Sequence, residues 1–165
     1  MRRMAIKTLA TLGLAGLLAG VLAGCGFQLR GQAQLPFAAV YLDAPASALA
    51  DALRQSLSSQ KKLAEKRDGA PLVIKLSGAS LNKTILSLSG GGKVREYRLE
   101  YQVELSAFDA AGKELIAPSQ IHLLREYSYD DTQVLAKESE EASLVRTMEQ
   151  EALRQILRRI SYLKR

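Results

Sequence analysis

Between residues 97 and 107 the chain alternates without a break. Tyr97, Leu99, Tyr101, Val103, Leu105 and Ala107 fall on one side of an extended backbone, and Arg98, Glu100, Gln102, Glu104 and Ser106 on the other. Side chains of a strand point alternately to opposite faces, so this run has one packed face and one wet face. A chain carrying it must build a sheet that is covered on one side and leaves the other polar.

The neighbouring segments supply the cover. Residues 38–42 alternate, with Val40 and Leu42 on one face, and read as a first strand. Asp43 and Pro45 turn into a helix capped by Asp43 or Ser47, whose Ala46, Leu49, Ala50, Leu53 and Leu57 recur at helical spacing. Residues 61–71 form a polar linker. A strand over residues 72–88 follows, bent near Gly78 and Asn82-Lys83, and Ser89-Gly90-Gly91-Gly92-Lys93 is a hairpin tip. Asp109-Ala110-Ala111-Gly112 is a second turn, leading to a last strand over residues 115–129 with Pro118 at a bulge or edge. Asp130-Asp131-Thr132 offers capping groups to a long final helix with the apolar stripe Val145, Met148, Ala152, Ile156, Ile160 and Leu163. Glu138, Glu140 and Glu141 lie early in that helix and Arg154, Arg158, Arg159, Lys164 and Arg165 late, an order that complements the helix dipole. The basic end also suits anionic lipid head groups. The predicted order is β-α-β-β-β-α. It makes an α+β two-layer sandwich, a four-stranded mixed sheet with two helices on one face. The polar face is left for water, or for a polar surface such as the lumen of a barrel.

The start of the chain follows different rules. Arg2, Arg3 and Lys7 precede an uncharged run over residues 8–22, too short for a stable membrane span. The run ends in Leu22-Ala23-Gly24-Cys25, which resembles the lipobox of bacterial lipoproteins. Cys25 is the only cysteine, whereas an exported disulfide protein normally has an even number. The resemblance implies a signal peptide over residues 1–24, acylation of Cys25 and a lipidated tether over residues 25–37, followed by one α+β domain over 38–165. Gly26, where an aspartate often marks inner-membrane retention, favours the outer membrane. The mature chain has 141 residues, enough for a single core. Without the three leader cations, its net charge falls from +6 to +3, which leaves little support for nucleic-acid binding.

Catalytic and metal chemistry find no footing. His122, the only histidine, sits on the wet side of the last strand, and no nucleophile and acid accompany it. Cys25 is committed to lipid, so no metal set converges. The triple glycine precedes a strand rather than a helix and lacks the P-loop Lys-Ser/Thr. No enzyme, metal or cofactor is expected.

Three local sequences carry a family likeness. Cys25-Gly26-Phe27-Gln28-Leu29-Arg30-Gly31, Glu96-Tyr97 and Leu135-Ala136-Lys137 resemble, in order and spacing, the LptE family of lipopolysaccharide-assembly lipoproteins. The resemblance implies an outer-membrane lipoprotein that plugs the LptD β-barrel one-to-one, assists its assembly, and binds lipopolysaccharide during delivery to the cell surface. It also implies basic residues for lipid A phosphates. Lys137 matches the family's helix position. The hairpin position falls at Gly90, so Lys93 and Arg95 stand in by proximity, with Arg98, Arg125 and Lys83 as further candidates. The competing reading is a lipid-anchored periplasmic adaptor or auxiliary subunit of another envelope complex.

Overall fold

The computed structural model describes residues 35–163; the leader, Cys25, the opening motif, Lys164 and Arg165 lie outside the described residues. The elements are β1 (Val40–Asp43), α1 (Ala48–Ser59), β2 (Leu72–Leu88), β3 (Val94–Asp109), β4 (Glu114–Ser128) and α2 (Val134–Ser161). The sheet runs β1-β2-β3-β4. Its first pair is parallel and the other two are antiparallel. The parallel pair needs a long crossover, which α1 and the segment after it supply; tight hairpins join the rest.

Register explains the layering. Leu105 lies opposite Leu76, Ala107 opposite Ile74, and Val103 opposite Ile121. Directly opposed residues share a face, so these form one apolar surface. Leu49, Leu53 and Leu57 of α1 and Met148, Ala152, Ile156 and Ile160 of α2 pack on it, all essentially without solvent exposure. A buried leucine or isoleucine side chain contributes about 1.5–3 kcal/mol, so this layer dominates the fold. The core also takes in Leu35 and Phe37, ahead of β1, and Lys62 Nζ donates to the Leu35 carbonyl.

Several local expectations are revised. Within the polar linker 61–71, residues 62–64 are tied to β1. Val40 N–H donates to the Lys62 carbonyl and Ala64 N–H to the Val40 carbonyl, a parallel bridge through Leu63. Ser47 caps α1, its hydroxyl accepting from Ala50 N–H at 3.2 Å. The final helix is not capped by Asp130, Asp131 or Thr132. Its N-cap is Gln133, which makes no side-chain cap bond. Asp130 instead accepts from the backbone N–H and hydroxyl of Thr132, spending its carboxylate on its own turn. Ser106 is buried although it lies on the polar side. It lies at the register shift between Leu105 and Ala107, next to the row Tyr41–Val73–Phe108 that makes this end of the open face apolar.

Two irregularities match the sequence, whereas no bend occurs at Asn82-Lys83, which pairs in unbroken register with Glu100 and Leu99; the later shifts fall between Ile85 and Leu88. Gly78 has φ +63°, at a register shift between Ser77 and Ser80, a conformation that penalises a Cβ. Pro118 lies in the outer strand β4, beside the register shift that follows Leu105↔Ser119, where a missing N–H is tolerated. β1 pairs only with Leu72–Lys75. Past Lys75, β2 is therefore an outer edge and reaches the hairpin tip with β3 alone beside it.

Candidate functional site

The orientation of α2 organises the charges. Lys83 meets Glu141, Arg125 meets Glu151, and Arg159 meets Ser119. The helix therefore starts beside the β2–β3 tip and runs back to the base of the sheet. Its first turns, the tip and the end of β4 share one end of the domain.

At that end three of the sequence candidates converge on the consecutive residues 128–131. Lys137 Nζ donates to Ser128 Oγ at 3.1 Å and to Glu140 at 2.9 Å, and its side chain is only 16 % exposed. The carbonyl of Arg95 accepts from Tyr129 N–H at 2.7 Å. Lys93 Nζ reaches Asp131 at 2.7 Å, with 73 % of its side chain exposed. The Asp131 hydrogen bond and charge raise the Lys93 pKa. The backbone and hydroxyl of Thr132 hold the Asp130 carboxyl below its ordinary range, and Lys137 and Lys93 add to the effect. Both ammonium groups thus act on one short loop. Among the described residues the Arg95 guanidinium is exposed and has no side-chain partner.

The other candidates lie apart. Lys83 is on the helix-covered side, 4.2 Å from the Tyr97 ring centroid and 5.8 Å from that of Tyr127. Tyr97 stacks on Tyr127 at 5.7 Å and meets Tyr129 edge-on at 5.1 Å. Glu141 Oε2 takes both Lys83 Nζ and the Tyr127 hydroxyl at 2.5 Å. Burial opposes the Lys83 charge, but the Glu141 and Tyr127 contacts outweigh it and raise the pKa. Burial likewise opposes ionisation of Glu141, and the same two partners hold its carboxyl below the usual range. Arg125 also faces α2, donating to Glu151 and to the Leu124 carbonyl. Arg98 is on the opposite sheet face, where it grips Glu126 with two donors at 3.0 and 2.8 Å. The tyrosine platform escaped the sequence reading. Its signal was the Tyr127-x-Tyr129 spacing, which places both rings on one strand face.

The uncovered sheet face is polar over most of its length. Besides Arg98–Glu126, it carries His122–Glu100 at 2.6 Å, Gln102–Glu100 at 2.6 Å and Ser77–Glu104 at 2.9 Å. The Gln102 and His122 contacts hold the Glu100 carboxyl below its ordinary range. No group of three or more metal-ligating side chains occurs among the described residues, and none of their helices is long and apolar enough to cross a membrane.

Residues 37–160 match the LptE family, described as lipopolysaccharide-assembly. The chain is 30 % identical over 152 residues to the LPS-assembly lipoprotein LptE of Photorhabdus laumondii, covering 89 % of this chain and 82 % of that one. It is also 30 % identical over 154 residues to the LPS-assembly lipoprotein LptE of Yersinia enterocolitica, covering 89 % and 73 %. Among solved structures it resembles lipoprotein B of Nitrosomonas europaea, with TM-score 0.72, 38 % identity, and 82 % and 90 % of the two chains covered. Rare lipoprotein B of Shewanella oneidensis follows with TM-score 0.61, 28 % identity, and 72 % and 90 % covered.

Proposed function

The chain belongs to the LptE lipopolysaccharide-assembly family, and from that premise we propose that it is an outer-membrane plug of the LptD β-barrel that also binds lipopolysaccharide. A lipoprotein of the envelope with a non-enzymatic role in lipopolysaccharide assembly follows from the family itself. The barrel, the lipid and the outer membrane are the finer reading.

One observation carries the plug: the domain leaves one sheet face uncovered and lines most of its length with polar groups, several of them paired. Exposed ion pairs of this kind contribute only about 0–1 kcal/mol each, so stability does not explain the pattern. A wet barrel interior is polar, and such a face can lie against it without burying unpaired charge. The anchor in this reading is acylated Cys25, left at the mature start when residues 1–24 are removed.

Lys93, Arg95 and Lys137 are the proposed contacts for lipid A phosphates. They differ in readiness. Arg95 is exposed and offers planar bidentate donors. Lys93 must leave Asp131, an exposed pair that exchanges at little cost. Lys137 is largely covered and holds the loop from beneath. Lys83 and Arg125 are occupied against α2, and Arg98 belongs to the polar face.

Two experiments test the reading. Gentle detergent extraction of the acylated protein should bring down a stoichiometric outer-membrane barrel; a different envelope complex would support an adaptor instead. Reversing Lys93, Arg95 and Lys137 to glutamate should weaken lipopolysaccharide binding in a salt-controlled assay. Unchanged affinity would reject these residues as the site while leaving the family intact.

A further inference from the structure

The base of the domain carries a second basic surface. Arg154, Arg158 and Tyr162 follow one another at intervals of four residues and form a single ridge along the end of α2. All three are exposed, Tyr162 at 77 %. Beside them Arg159 donates to Ser119 at 2.9 Å. Arg154, Arg158, Arg159, Glu151 and Gln155 line a hollow of ≈ 240 Å³. Glu151 does not neutralise the ridge, because its carboxylate is taken by Arg125 of β4. Among the described residues neither Arg154 nor Arg158 has a side-chain partner.

A helix that only needed to match its dipole would not require this pattern. Positive charge helps within the last turn alone, which Arg158 and Arg159 already occupy. Like charges four residues apart destabilise a helix, yet Arg154 and Arg158 stand so, and an exposed tyrosine ends the ridge.

The location gives the surface its partner. β1 runs parallel to β2, with Val40 opposite Leu72 at the start of β2 and the end of β3. The described chain therefore enters at the base, the same end at which α2 finishes. Cys25 stands ten residues before Leu35 in the sequence, a span of at most about 35 Å of extended chain. We propose that the Arg154–Arg158–Tyr162 ridge docks on the anionic phospholipid surface to which Cys25 tethers the domain, a proposal that rests on the acylation reading above. Arginines contact head-group phosphates and tyrosine sits at the interface, as aromatic anchors do. The ridge thereby sets the attitude of the domain. In the acylated chain before it enters a barrel, the base lies on the bilayer, and the Lys93–Arg95 end, about 40 Å away along α2, points away from that surface.

The chain has no tryptophan, so a single one reports its own surroundings. The acylated mature protein carrying Tyr162→Trp is placed on vesicles with brominated acyl chains, either zwitterionic or with one-third anionic phospholipid. The control carries Leu135→Trp, at the other end of α2. Quenching of the Tyr162→Trp reporter should be stronger on anionic vesicles and should weaken at high salt. The control should stay unquenched. Adding Arg154→Gln and Arg158→Gln should lower the docked-to-undocked ratio about 30-fold, near fivefold for each cation. Both side chains are exposed and unpartnered, so the melting temperature should hold. Equal quenching at the two reporters, or no difference between the vesicle types, would overturn the proposal. So would selective loss of quenching in inorganic phosphate at matched ionic strength, which would mean a discrete phosphate pocket. Flotation of the same samples separates the readings: a chain that fails to float overturns the anchor and the docking together, whereas one that floats unquenched overturns the docking alone.

Discussion

The Lys83–Glu141 contact is the strongest test of how the β2–β3 tip is held to α2. It is the point where the edge half of β2 is tied across to the helix, at 2.5 Å, with the two side chains 37 % and 26 % exposed. Fully exposed pairs contribute up to about 1 kcal/mol, and hydrogen bonds to charged groups about 1.5–3 kcal/mol. Partial exposure places this pair near the lower bound, about 1–1.5 kcal/mol after screening. The two single substitutions should not be equal. Glu141→Gln leaves a partly desolvated ammonium over Tyr97 and should cost about 1–2 kcal/mol. Lys83→Met removes that charge with its desolvation cost, keeps the apolar stem, and should cost less. A double-mutant cycle by urea unfolding at pH 7 should give a coupling of about 1 kcal/mol that shrinks with added salt. The pH dependence follows from the directions of the shifts. Glu141 is depressed from 4.5, so its contribution is present above that value and is lost as pH falls through the lower native pKa. Lys83 is raised from 10.5, so its contribution is present below that value and is lost only as pH rises through the higher native pKa. Tyr127, raised from 10.0 chiefly by burial and then by Glu141, loses its share on the same alkaline side. Additive single effects at pH 7, or a coupling that survives acid titration of Glu141, would refute this account.

Three further outcomes are expected. Gln133→Ser should stabilise the domain by about 0.5 kcal/mol in chemical denaturation, because α2 begins without a side-chain cap. Gly78→Ala should cost about 1 kcal/mol by the same assay, from φ +63° alone, since nothing lies within 4 Å of the added Cβ. Ile156→Ala should cost about 3 kcal/mol, whereas Ile85→Ala, at a position 55 % exposed, should lower the melting temperature by no more than about 2 °C.

Much of the architecture was already legible in periodicity. The alternation around Tyr101 and the four-residue spacing from Met148 to Ile160 each identify a buried face from local chemistry, and burial followed in both cases. The misreadings came from competition between local partners. Asp130 has the right side chain for a helix cap, yet its carboxylate accepts from the backbone and hydroxyl of Thr132 instead. Ser106 obeys its strand period, yet it is buried, at the register shift between Leu105 and Ala107 and one row from the apolar Tyr41–Val73–Phe108 row. For the candidate site, Lys93 and Lys137 were visible as charges, but residue type says nothing of accessibility. Only packing shows Lys137 tucked beneath the loop, Arg125 turned toward Glu151, and Arg95 left open.

The order of elements, the covered and uncovered faces and the bend at Gly78 were set by the one-dimensional pattern, because backbone period and turn chemistry act over a few residues. Which charges share an end, which are already paired, and that the chain enters beside the end of α2 were set by the tertiary fold. Those properties depend on strand order, register and helix direction, which join residues far apart in sequence through contacts that local pattern does not encode.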